Sequence, residues 1–470
     1  MSRELKPYEE YKETEYDWLG PVPNHWNKLS IRNITELSSE RNRTRNDLEL
    51  LSVYREYGVI KKSSRDDNHN VESEDLTNYK LVDKGYLVLN KMKMWQGSLG
   101  VSRYKGIVSP AYIVCKLRKD LHSDYINYLL RAAVFKTIYN RLSYGVRVGQ
   151  WDMRYEDFKN IKLYIPSKEE QDQIVRYLDN KLVKISKFIK NKKKLIELLK
   201  EQKQAVINQA VTKGLDPTAK MKPSGIGWLG DIPEDWEVKR IKHFSRVNPS
   251  INNKLKKINL EDEVVFLSMD KISDYGEIVQ NELKQLKYVK TGYTAFAKGD
   301  VVIAKITPCF ENGKGACLSK LNTDIGYGTT ELVVLRPNKR VISEFLYWIT
   351  RTSYFRNLGI EVMTGSAGQK RVPVEFVTNF QLGIPDVEEQ NKIVKLIEEK
   401  ISILSKLLEK VNKEIDLMAE YRTSLISNVV TGKVDVRHIE IENLTEDVGE
   451  SFSDLDDLEV EDNDLLAEGE

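Results

Sequence analysis

Trp18-Leu19-Gly20-Pro21-Val22-Pro23-Asn24-His25-Trp26 returns in the second half of the chain as Trp228-Leu229-Gly230-Asp231-Ile232-Pro233-Glu234-Asp235-Trp236. Two tryptophans, a leucine, a glycine and a proline keep their places in both copies. Self-similarity over a long, fixed separation is typical of a duplicated structural unit. The chain of 470 residues is also too long for one core, at about 150 residues per domain. The sequence therefore predicts two related domains.

A second repeat marks the end of each copy. Ile165-Pro166 with Glu169-Glu170-Gln171 returns as Ile384-Pro385 with Glu388-Glu389-Gln390, with the same spacing inside the motif. The prolines disfavour helix further upstream, and the acidic residues suit the first turn of a helix. Each copy is therefore predicted to close with a helix that begins just after the proline.

The ends of these two helices are also marked. Ser167 and Asp386 each stand three residues before a glutamate, which is the capping-box pattern in which two side chains satisfy each other's backbone N–H groups. Both helices can continue to the region of Gly214 and Gly432, where glycine favours termination. They would be about 45 residues long, or roughly 70 Å at 1.5 Å per residue.

Both predicted helices carry an apolar seam. Its positions are separated by three, four or seven residues, and each position of the first helix has a counterpart at the same distance from the Glu-Glu-Gln motif of the second. The seam consists of Leu178, Leu182, Ile185, Ile189, Ile196 and Leu199 in the first helix and Ile397, Ile401, Leu404, Leu408, Ile415 and Met418 in the second. This heptad spacing predicts a coiled coil of the two helices. The alternative is that each helix packs only on its own domain.

The segments before the helices predict mixed α/β structure that is only partly shared. Residues 84–91 and 298–305 both favour a turn into a buried strand, as do 111–117 and 331–335 for further strands. Ser123 and Ser343 are predicted N-caps of single amphipathic helices that run to about Tyr139 and Leu358. The copies differ most between residues 38–80 and 248–294, which indicates one scaffold with two different surfaces.

The net charge of +2 conceals a strong asymmetry. Residues 440–470 contain 14 of the 71 acidic residues and no basic residue, so residues 1–439 combine 57 acidic with 73 basic residues, a net charge of +16. A basic body is typical of nucleic-acid binders, although ribosomal and membrane-surface proteins share it. The acidic composition of the C-terminal segment predicts disorder.

Several functional classes lack their sequence marks. No run reaches the roughly 18 apolar residues of a membrane span, and the N-terminus has no signal-peptide core, so we expect a cytoplasmic protein. Cys115, Cys309 and Cys317 lack CxxC spacing, and we expect small buried side chains. Neither an Asn-Pro-Pro-Tyr motif of adenine methyltransferases, nor a phosphate-binding GxxxxGK[ST] loop, nor an HExxH metal motif is present.

Together these marks resemble one family. The repeated tryptophan stretch, the glycine-containing segments Gly145–Gln150 and Gly365–Arg371, and the Ile-Pro with Glu-Glu-Gln entry to a long helix are similar to the specificity subunits of type I restriction-modification enzymes. The resemblance implies an α+β fold with two target-recognition domains separated by a long antiparallel two-helix coiled coil, related by a pseudo-two-fold axis. The predicted regions are recognition domains at 1–165 and 218–385, conserved helical regions at 166–217 and 386–436, and an acidic tail at 437–470.

The resemblance also implies function. Such a chain would bind double-stranded DNA at an asymmetric bipartite site and would be a non-catalytic partner of two methyltransferase subunits and of restriction subunits. Those partners would use S-adenosylmethionine, ATP and magnesium, and this chain would bind none of them. The alternatives are a specificity subunit of another restriction architecture, a chain that is itself a nuclease or methyltransferase, and a coiled-coil scaffold with a basic body.

Candidate DNA-binding residues follow from side-chain chemistry, because Arg can bind guanine and Gln can bind adenine through paired hydrogen bonds. The candidate base readers are Arg147, Gln150 and Trp151 in the first half and Ser366, Gln369, Lys370 and Arg371 in the second. Lys91, Lys93 and Lys305 at strand ends are candidates for phosphate contact. The alternative is that the glycines only form turns and the charges are solvated. The repeated tryptophans are expected to pack in the scaffold.

Overall fold

The computed structural model describes residues 5–43, 48–55, 57–64, 75–145, 151–366 and 368–441. The chain forms two compact units. The first unit contains Met1–Lys194 and Asn412–Glu470, and the second contains Leu195–Val411. Each unit therefore holds one half of each long helix.

The first unit precedes and follows the second along the chain. Its strands are β1 Tyr11–Lys12, β2 Val22–Pro23, β3 Asn27–Ser30, β4 Thr35–Leu37, β5 Leu51–Tyr54, β6 Gly58–Lys61, β7 Lys80–Val82, β8 Tyr86–Leu89, β9 Leu99–Val101, β10 Gly106–Val108, β11 Ile113–Leu117 and β12 Lys162–Ile165. Its helices are α1 Ile31–Ile34, α2 Ser123–Arg131, α3 Ala133–Leu142 and α4 Tyr155–Phe158, followed by the long helix α5 Lys168–Lys213. A short 3-10 helix covers Lys91–Gln96 and another covers Lys62–Ser64.

The second unit repeats this order with additions. Its strands are β13 Met221–Pro223, β14 Asp231–Pro233, β15 Glu237–Arg240, β16 Ser245–Val247, β17 Glu263–Leu267, β18 Leu283–Gln285, β19 Thr294–Ala297, β20 Val301–Ala304, β21 Gly315–Cys317, β22 Ile325–Gly328, β23 Leu332–Pro337 and β24 Gln381–Ile384. Its helices are α6 Ile241–Phe244, α7 Asn252–Leu255, α8 Leu286–Val289, α9 Ser343–Thr350, α10 Ser353–Glu361 and α11 Val374–Asn379, followed by the long helix α12 Val387–Val430. Its 3-10 helices are Met269–Lys271 and Leu318–Lys320.

Both units are built on the same four-stranded antiparallel sheet. The strand order is β4-β11-β8-β9 in the first unit and β16-β23-β20-β21 in the second. The central strands β8 and β20 are apolar at successive positions because both faces of the sheet are covered. In β8, Leu87 and Leu89 pack with the helices, whereas Val88 packs with residues of β5, β6 and β7. The buried strands predicted at 84–91 and 298–305 are confirmed.

The variable regions cover the outer face of that sheet differently. The first unit uses the hairpin β5-β6 and the pair β7-β10. The second unit uses a sheet of order β18-β17-β22-β19, in which β17 and β22 run parallel. The regions 38–80 and 248–294, which the sequence marks as most different, supply strands to these unequal covers. One scaffold with two different surfaces is thus the observed arrangement.

The helical prediction after the sheet was wrong in two details. Ser123 and Ser343 are the first helical residues, and the cap position in the first unit belongs to His122, whose side chain accepts from the Asp124 N–H at 3.2 Å. Each predicted single helix is also two helices. The chain breaks at Ala132 in the first unit and between α9 and α10 in the second.

The residues of the predicted apolar seam pack in both units. In the first unit its residues of α5 lie in the main core together with Ile415 and Met418 of α12. The Lys192 ammonium contacts the Glu414 carboxylate at 2.7 Å, and the Gln173 amide reaches the Val436 carbonyl at 3.1 Å. Since Gln173 near the start of α5 contacts Val436 just beyond the end of α12, whereas Lys192 further along α5 contacts the earlier Glu414, the two segments run antiparallel.

In the second unit the two helices form a small cluster of their own from Ile196, Leu199, Leu404, Leu408 and Val411. The remaining seam residue buried there, Ile397, packs in the domain core. The seam therefore serves two purposes, because the two helices pair with each other and also close the core of the domain. Neither of the two packing alternatives read from the sequence holds alone.

The repeated tryptophan and the repeated glutamate contact each other. The indole N–H of Trp26 donates to Glu170 at 3.0 Å, and that of Trp236 donates to Glu389 at 3.0 Å. The caps are present, since Ser167 and Asp386 accept from the N–H groups of these glutamates. The reciprocal half of the predicted capping box is wrong. The glutamate side chains turn to the tryptophans instead, because a buried indole N–H needs an acceptor.

The glutamine of the same motif ties the helix to the domain. Gln171 is 2% exposed and accepts from the His122 N–H at 2.9 Å, and Gln390 is 0% exposed and accepts from the Ile342 N–H at 3.0 Å. These donors are the cap residues of α2 and α9. The Glu-Glu-Gln entry is therefore a fixed joint between the long helix and its domain.

The chain closes on itself in the first unit. The Asp435 N–H donates to the Lys6 carbonyl at 2.8 Å, where the two residues form a β-bridge. The offset between the two tryptophan stretches places Lys6 at Asp216 of the second unit, and the offset between the two Glu-Glu-Gln motifs places Asp435 at the same residue. In the first unit, two separate segments thus pair where the second unit has the single residue Asp216, at which its chain runs on without a break.

The cysteine prediction is only partly confirmed. Cys115 is buried, whereas Cys309 and Cys317 are half-buried, and all three are free thiols. Burial raises the pKa of the Cys115 thiol to about 12. The acidic segment beyond residue 441 lies outside the described residues.

Candidate nucleic-acid interface

The two glycine-containing loops occupy equivalent positions. In the first unit a β-bridge joins Tyr144 to Asp152, and in the second a β-bridge joins Thr364 to Arg371. We refer to residues 144–152 and 364–371 as the first and second reading loops. Candidates Arg147 and Gln150 lie outside the described residues.

A glycine is required in the second reading loop. Gly365 has a φ of +136°, and a Cβ placed there would lie 2.6 Å from the Gln369 carbonyl oxygen. Only glycine avoids both the backbone strain and the clash. Gly365 therefore lets the backbone at the start of the second reading loop approach the Gln369 backbone closely.

Each reading loop is docked on the segment that follows the central strand. The Met153 N–H donates to the Lys91 carbonyl at 3.0 Å, and the Val372 N–H donates to the Lys305 carbonyl at 2.8 Å. The loops and the lysines were selected separately from the sequence, and the structure brings them together in both units. Lys93 lies in the 3-10 helix that starts at Lys91 and is exposed.

Candidate side chains of the second loop differ in their freedom. Ser366, Gln369 and Lys370 are exposed. The backbone of Lys370 is fixed, since its N–H donates to the Thr307 hydroxyl at 2.8 Å and its carbonyl accepts from the Thr307 N–H at 2.9 Å. The exposed Gln369 amide and Lys370 ammonium are thus carried by a backbone that is hydrogen-bonded to Thr307.

Two candidates have their charged groups engaged within the protein. Arg371 forms a bidentate ion pair with Glu331, with N–O distances of 2.9 and 2.8 Å. The Lys91 ammonium contacts the Asp152 carboxylate at 3.3 Å. The hydrogen bonds from Arg371 hold the pKa of the Glu331 carboxyl below its ordinary value.

Sequence reasoning missed several neighbours of the first loop. One is Trp95, against which the candidate Trp151 packs edge-on with 5.3 Å between ring centroids, and Trp151 is half-buried. The Arg154 guanidinium lies 4.7 Å from the ring centroid of Tyr144, and both side chains are exposed. Arg154 stands two residues beyond the loop, and its guanidinium could bind guanine like those of the candidate arginines. Its closeness to the loop in sequence could therefore have marked it as a further candidate.

The exposed side chains of the candidate interface are of types that can bind nucleic acid. Its exposed groups are an amide, ammonium groups, a guanidinium and aromatic rings, which can contact base edges and phosphates. Within the described ranges, no group of three or more His, Cys, Asp and Glu side chains could hold a metal ion. The described helices include none long and apolar enough to cross a membrane.

The fold and the paired loops define a duplicated recognition protein in which two versions of one domain carry different loops on a common helical frame. A family model described as the type I restriction modification DNA specificity domain matches residues 23–204 and again 233–417. These matches cover more than half of the chain. The chain therefore belongs to the type I restriction modification DNA specificity domain family.

Individual relatives agree with this assignment. The type I restriction enzyme EcoAI specificity subunit of Escherichia coli is 40% identical over 179 residues, which are 38% of this chain and 30% of that protein. The match thus spans less than a third of that relative. The putative type I restriction enzyme MjaX specificity subunit of Methanocaldococcus jannaschii is 23% identical over 459 residues, 91% of this chain and 97% of that protein.

The fold also has a solved counterpart. The crystal structure of the HsdS subunit from Thermoanaerobacter tengcongensis superposes with a TM-score of 0.52 at 14% sequence identity. The superposition covers 90% of this chain and 100% of that chain. The predicted fold class, two mixed α/β domains with a paired long-helix frame, is thereby confirmed.

Proposed function

We propose that this chain is the DNA-binding specificity subunit of a type I restriction-modification complex and that each unit reads one half of a split, asymmetric DNA site. The observation that carries the proposal is the pair of reading loops. They are docked by the same backbone hydrogen bond, to the Lys91 carbonyl in one unit and to the Lys305 carbonyl in the other, yet their side chains differ. Family membership and the basic body support the same conclusion.

The structural repeat explains why the site would be split. Two equivalent scaffolds can each present a loop to the major groove in the same pose, as the two halves of symmetric DNA-binding dimers do. Loops with different side chains then select different bases, so the two half-sites would differ. The surplus of 16 positive charges in residues 1–439 would supply affinity for phosphates that is independent of sequence and falls with salt.

We also propose that chemistry belongs to partner subunits. The described residues contain no candidate metal cluster, and the sequence carries no methyltransferase or phosphate-binding motif. Two methyltransferase subunits and restriction subunits, using S-adenosylmethionine, ATP and magnesium, would assemble with this chain, which would itself hold no cofactor. We expect the assembly to be cytoplasmic.

The test is to co-express the chain with a methyltransferase subunit encoded beside it and to map adenine methylation across the genome by single-molecule sequencing. One split, asymmetric motif is the expected result. A stable complex without methylation, or methylation by the purified chain alone, would contradict the proposal. Absence of any complex would favour the scaffold interpretation.

Loop variants sharpen the assignment of each half-site. Gln369→Ala and Lys370→Ala should relax or weaken the half-site read by the second unit and leave the other unchanged. Lys339→Ala, which removes an exposed lysine from the turn between β23 and α9, is the matched control. Equal effects of Lys370→Ala and Lys339→Ala would show that the second reading loop has no special role.

A further inference from the structure

The two reading loops end at equivalent positions that carry opposite charges. Asp152 and Arg371 stand at the same distance before the Glu-Glu-Gln motif of their own copy, and each forms the closing β-bridge of its loop. Asp152 pairs with Lys91 at 3.3 Å, and Arg371 pairs with Glu331 at 2.9 and 2.8 Å. Each loop thus has an ion pair at its base, but the sign of the loop residue is reversed and the partners differ in place. Strand register makes Lys91 equivalent to Lys305, and Glu331 equivalent to Ala111.

In the second unit this pair joins three segments. The Lys305 N–H donates to the Glu331 carbonyl at 2.9 Å, and the Val372 N–H donates to the Lys305 carbonyl at 2.8 Å. The forked ion pair between the Arg371 guanidinium and the Glu331 carboxylate directly joins two of these three segments, and Lys305 links both of them through its backbone. The Arg371 guanidinium also donates to the Gln369 carbonyl at 3.4 Å, so the fork helps to hold the backbone that carries the exposed Gln369 side chain.

The side chains are arranged for holding the loop. The Glu331 side chain is 23% exposed and that of Arg371 is 43% exposed, and both N–H groups on the carboxylate side of the guanidinium fork are occupied. A planar fork matched to a carboxylate adds geometric specificity to charge attraction. In the first unit the contact is single, longer and more exposed, at 39% for Lys91 and 43% for Asp152, so it should constrain its loop less.

We infer that Glu331 with Arg371, and Asp152 with Lys91, are positioning pairs that set the specificity of each half-site without contacting bases. This inference rests on the proposed function. It has a consequence for exchanging loops between domains. A second reading loop placed in the first unit would leave Arg371 without its carboxylate, because Ala111 stands where the second unit has Glu331. The transfer should therefore work only when Ala111 is replaced by glutamate.

The discriminating variant is Glu331→Gln, assayed in the complex with the methyltransferase subunits. Positioning predicts that the preference for the intact second half-site over a mismatched one falls about fivefold, the order that a partly exposed ion pair supplies. Non-specific affinity should stay equal or rise, because a negative charge is lost. If Arg371 instead contacts DNA directly, releasing it should tighten specific binding, and that outcome would overturn the inference.

Rescue separates positioning from general damage. The swap Glu331→Arg with Arg371→Glu restores a pair of the same net charge and should recover most of the lost preference, whereas Arg371→Lys, which loses the fork, should not. A swap no better than either single change would refute the pairing. Asp152→Asn should affect only the first half-site, and by less than Glu331→Gln affects the second.

Two controls keep the outcomes distinct. Glu237→Gln removes the same charge from the second unit at the exposed Lys239 pair on β15 and should leave both half-sites unchanged. Wild-type chain in the same assay must discriminate a split site. If it does not, the proposed function itself fails and the inference fails with it. If it does, and Glu331→Gln behaves like Glu237→Gln, only the inference is overturned.

Discussion

Replacing Glu170 by alanine should destabilise the first unit far more than the equivalent change, Glu389→Ala, destabilises the second. Glu170 is 7% exposed. It accepts hydrogen bonds from the Tyr8 hydroxyl at 2.7 Å and the Trp26 indole at 3.0 Å, and it contacts a ring nitrogen of His25 at 2.8 Å. Among the described residues, Glu389 accepts a side-chain hydrogen bond from Trp236 alone.

The magnitude follows from the donors left without an acceptor. Tyr8 and Trp26 are 4% and 1% exposed, and each buried donor that loses its partner costs about 1–3 kcal/mol. We therefore expect Glu170→Ala to cost about 3–5 kcal/mol. Glu389→Ala should cost about 1–2 kcal/mol, because one donor is orphaned and burial already disfavours that carboxylate, as its raised pKa shows.

Hydrogen–deuterium exchange with mass spectrometry can assign these losses, because it measures local opening separately in each part of a protein. A cost of about 3 kcal/mol corresponds to a loss of protection of more than about 100-fold, expected in β3 and the first turns of α5. Glu170→Gln is the control. Both Tyr8 and Trp26 donate to the same oxygen, Oε1, which the amide retains, so most protection should remain.

Two results would refute this reasoning. If Glu170→Ala and Glu389→Ala reduced protection equally, the additional donors around Glu170 would carry no net energy. If Glu170→Gln were as damaging as Glu170→Ala, the negative charge and not the shared acceptor would hold the joint.

Three further perturbations have expected outcomes. Burial raises the pKa of Asp179, whose carboxylate accepts from the Tyr128 hydroxyl at 2.7 Å. A carboxyl with a raised folded pKa loses stability as the pH rises from its unfolded pKa, about 4, through its folded pKa. Asp179→Asn should therefore raise the melting temperature at pH 7 and not near pH 4. Gly432 has a φ of +76° and its Cβ would lie 2.2 Å from Pro23, whereas a Cβ at Gly214 would lie 3.1 Å from its nearest neighbour, so Gly432→Ala should lower the melting temperature more than Gly214→Ala. One heptad added to both α5 and α12 should change the spacer of the methylated motif and leave both half-sites intact; an altered half-site would contradict this prediction.

The long helices and their seam could be predicted because their signals are local and repeated. The prolines at 166 and 385, the caps at Ser167 and Asp386 and the heptad spacing all act within a few residues. The partner of Glu170 could not be predicted this way. A capping box competes for the same carboxylate with Trp26, which lies 144 residues earlier in sequence, and no local pattern shows which donor is preferred.

The break after α2 illustrates the same limit. In the second unit Thr352 caps α10 by accepting from the Phe355 N–H at 3.2 Å, and that threonine is a recognisable helix start. In the first unit the corresponding break falls at Ala132, which offers no cap. The apolar periodicity of the two segments continues across it, so the sequence favours one helix where tertiary packing produces two.

The candidate interface was predictable as a set of residues but not as an arrangement. Glycine, arginine and glutamine in one loop indicate a reader by their chemistry, whereas the docking of Met153 on Lys91 uses backbone atoms that every residue has. The side chains that pair with Lys91 and Arg371 lie 61 and 40 residues away in sequence, so no local pattern identifies them. Their roles in DNA binding stay predictions.

Similarity between the two copies separates scaffold from reading surface. The repeated tryptophan, glutamate and glutamine all join a domain to its long helix. These residues are the same in both copies because the joint has the same geometry in both units. The position shared by Asp152 and Arg371 carries an ion pair in both units, with opposite charge and with partners from different segments, Lys91 after β8 and Glu331 before β23. A residue that contacts DNA is free to differ between copies, whereas a residue that holds a loop must change together with its partner. An ion pair that is present in both units with opposite sign therefore supports the proposed positioning role. Lys370, where the first unit has Trp151, and Gln369, which matches Gln150, remain predicted readers.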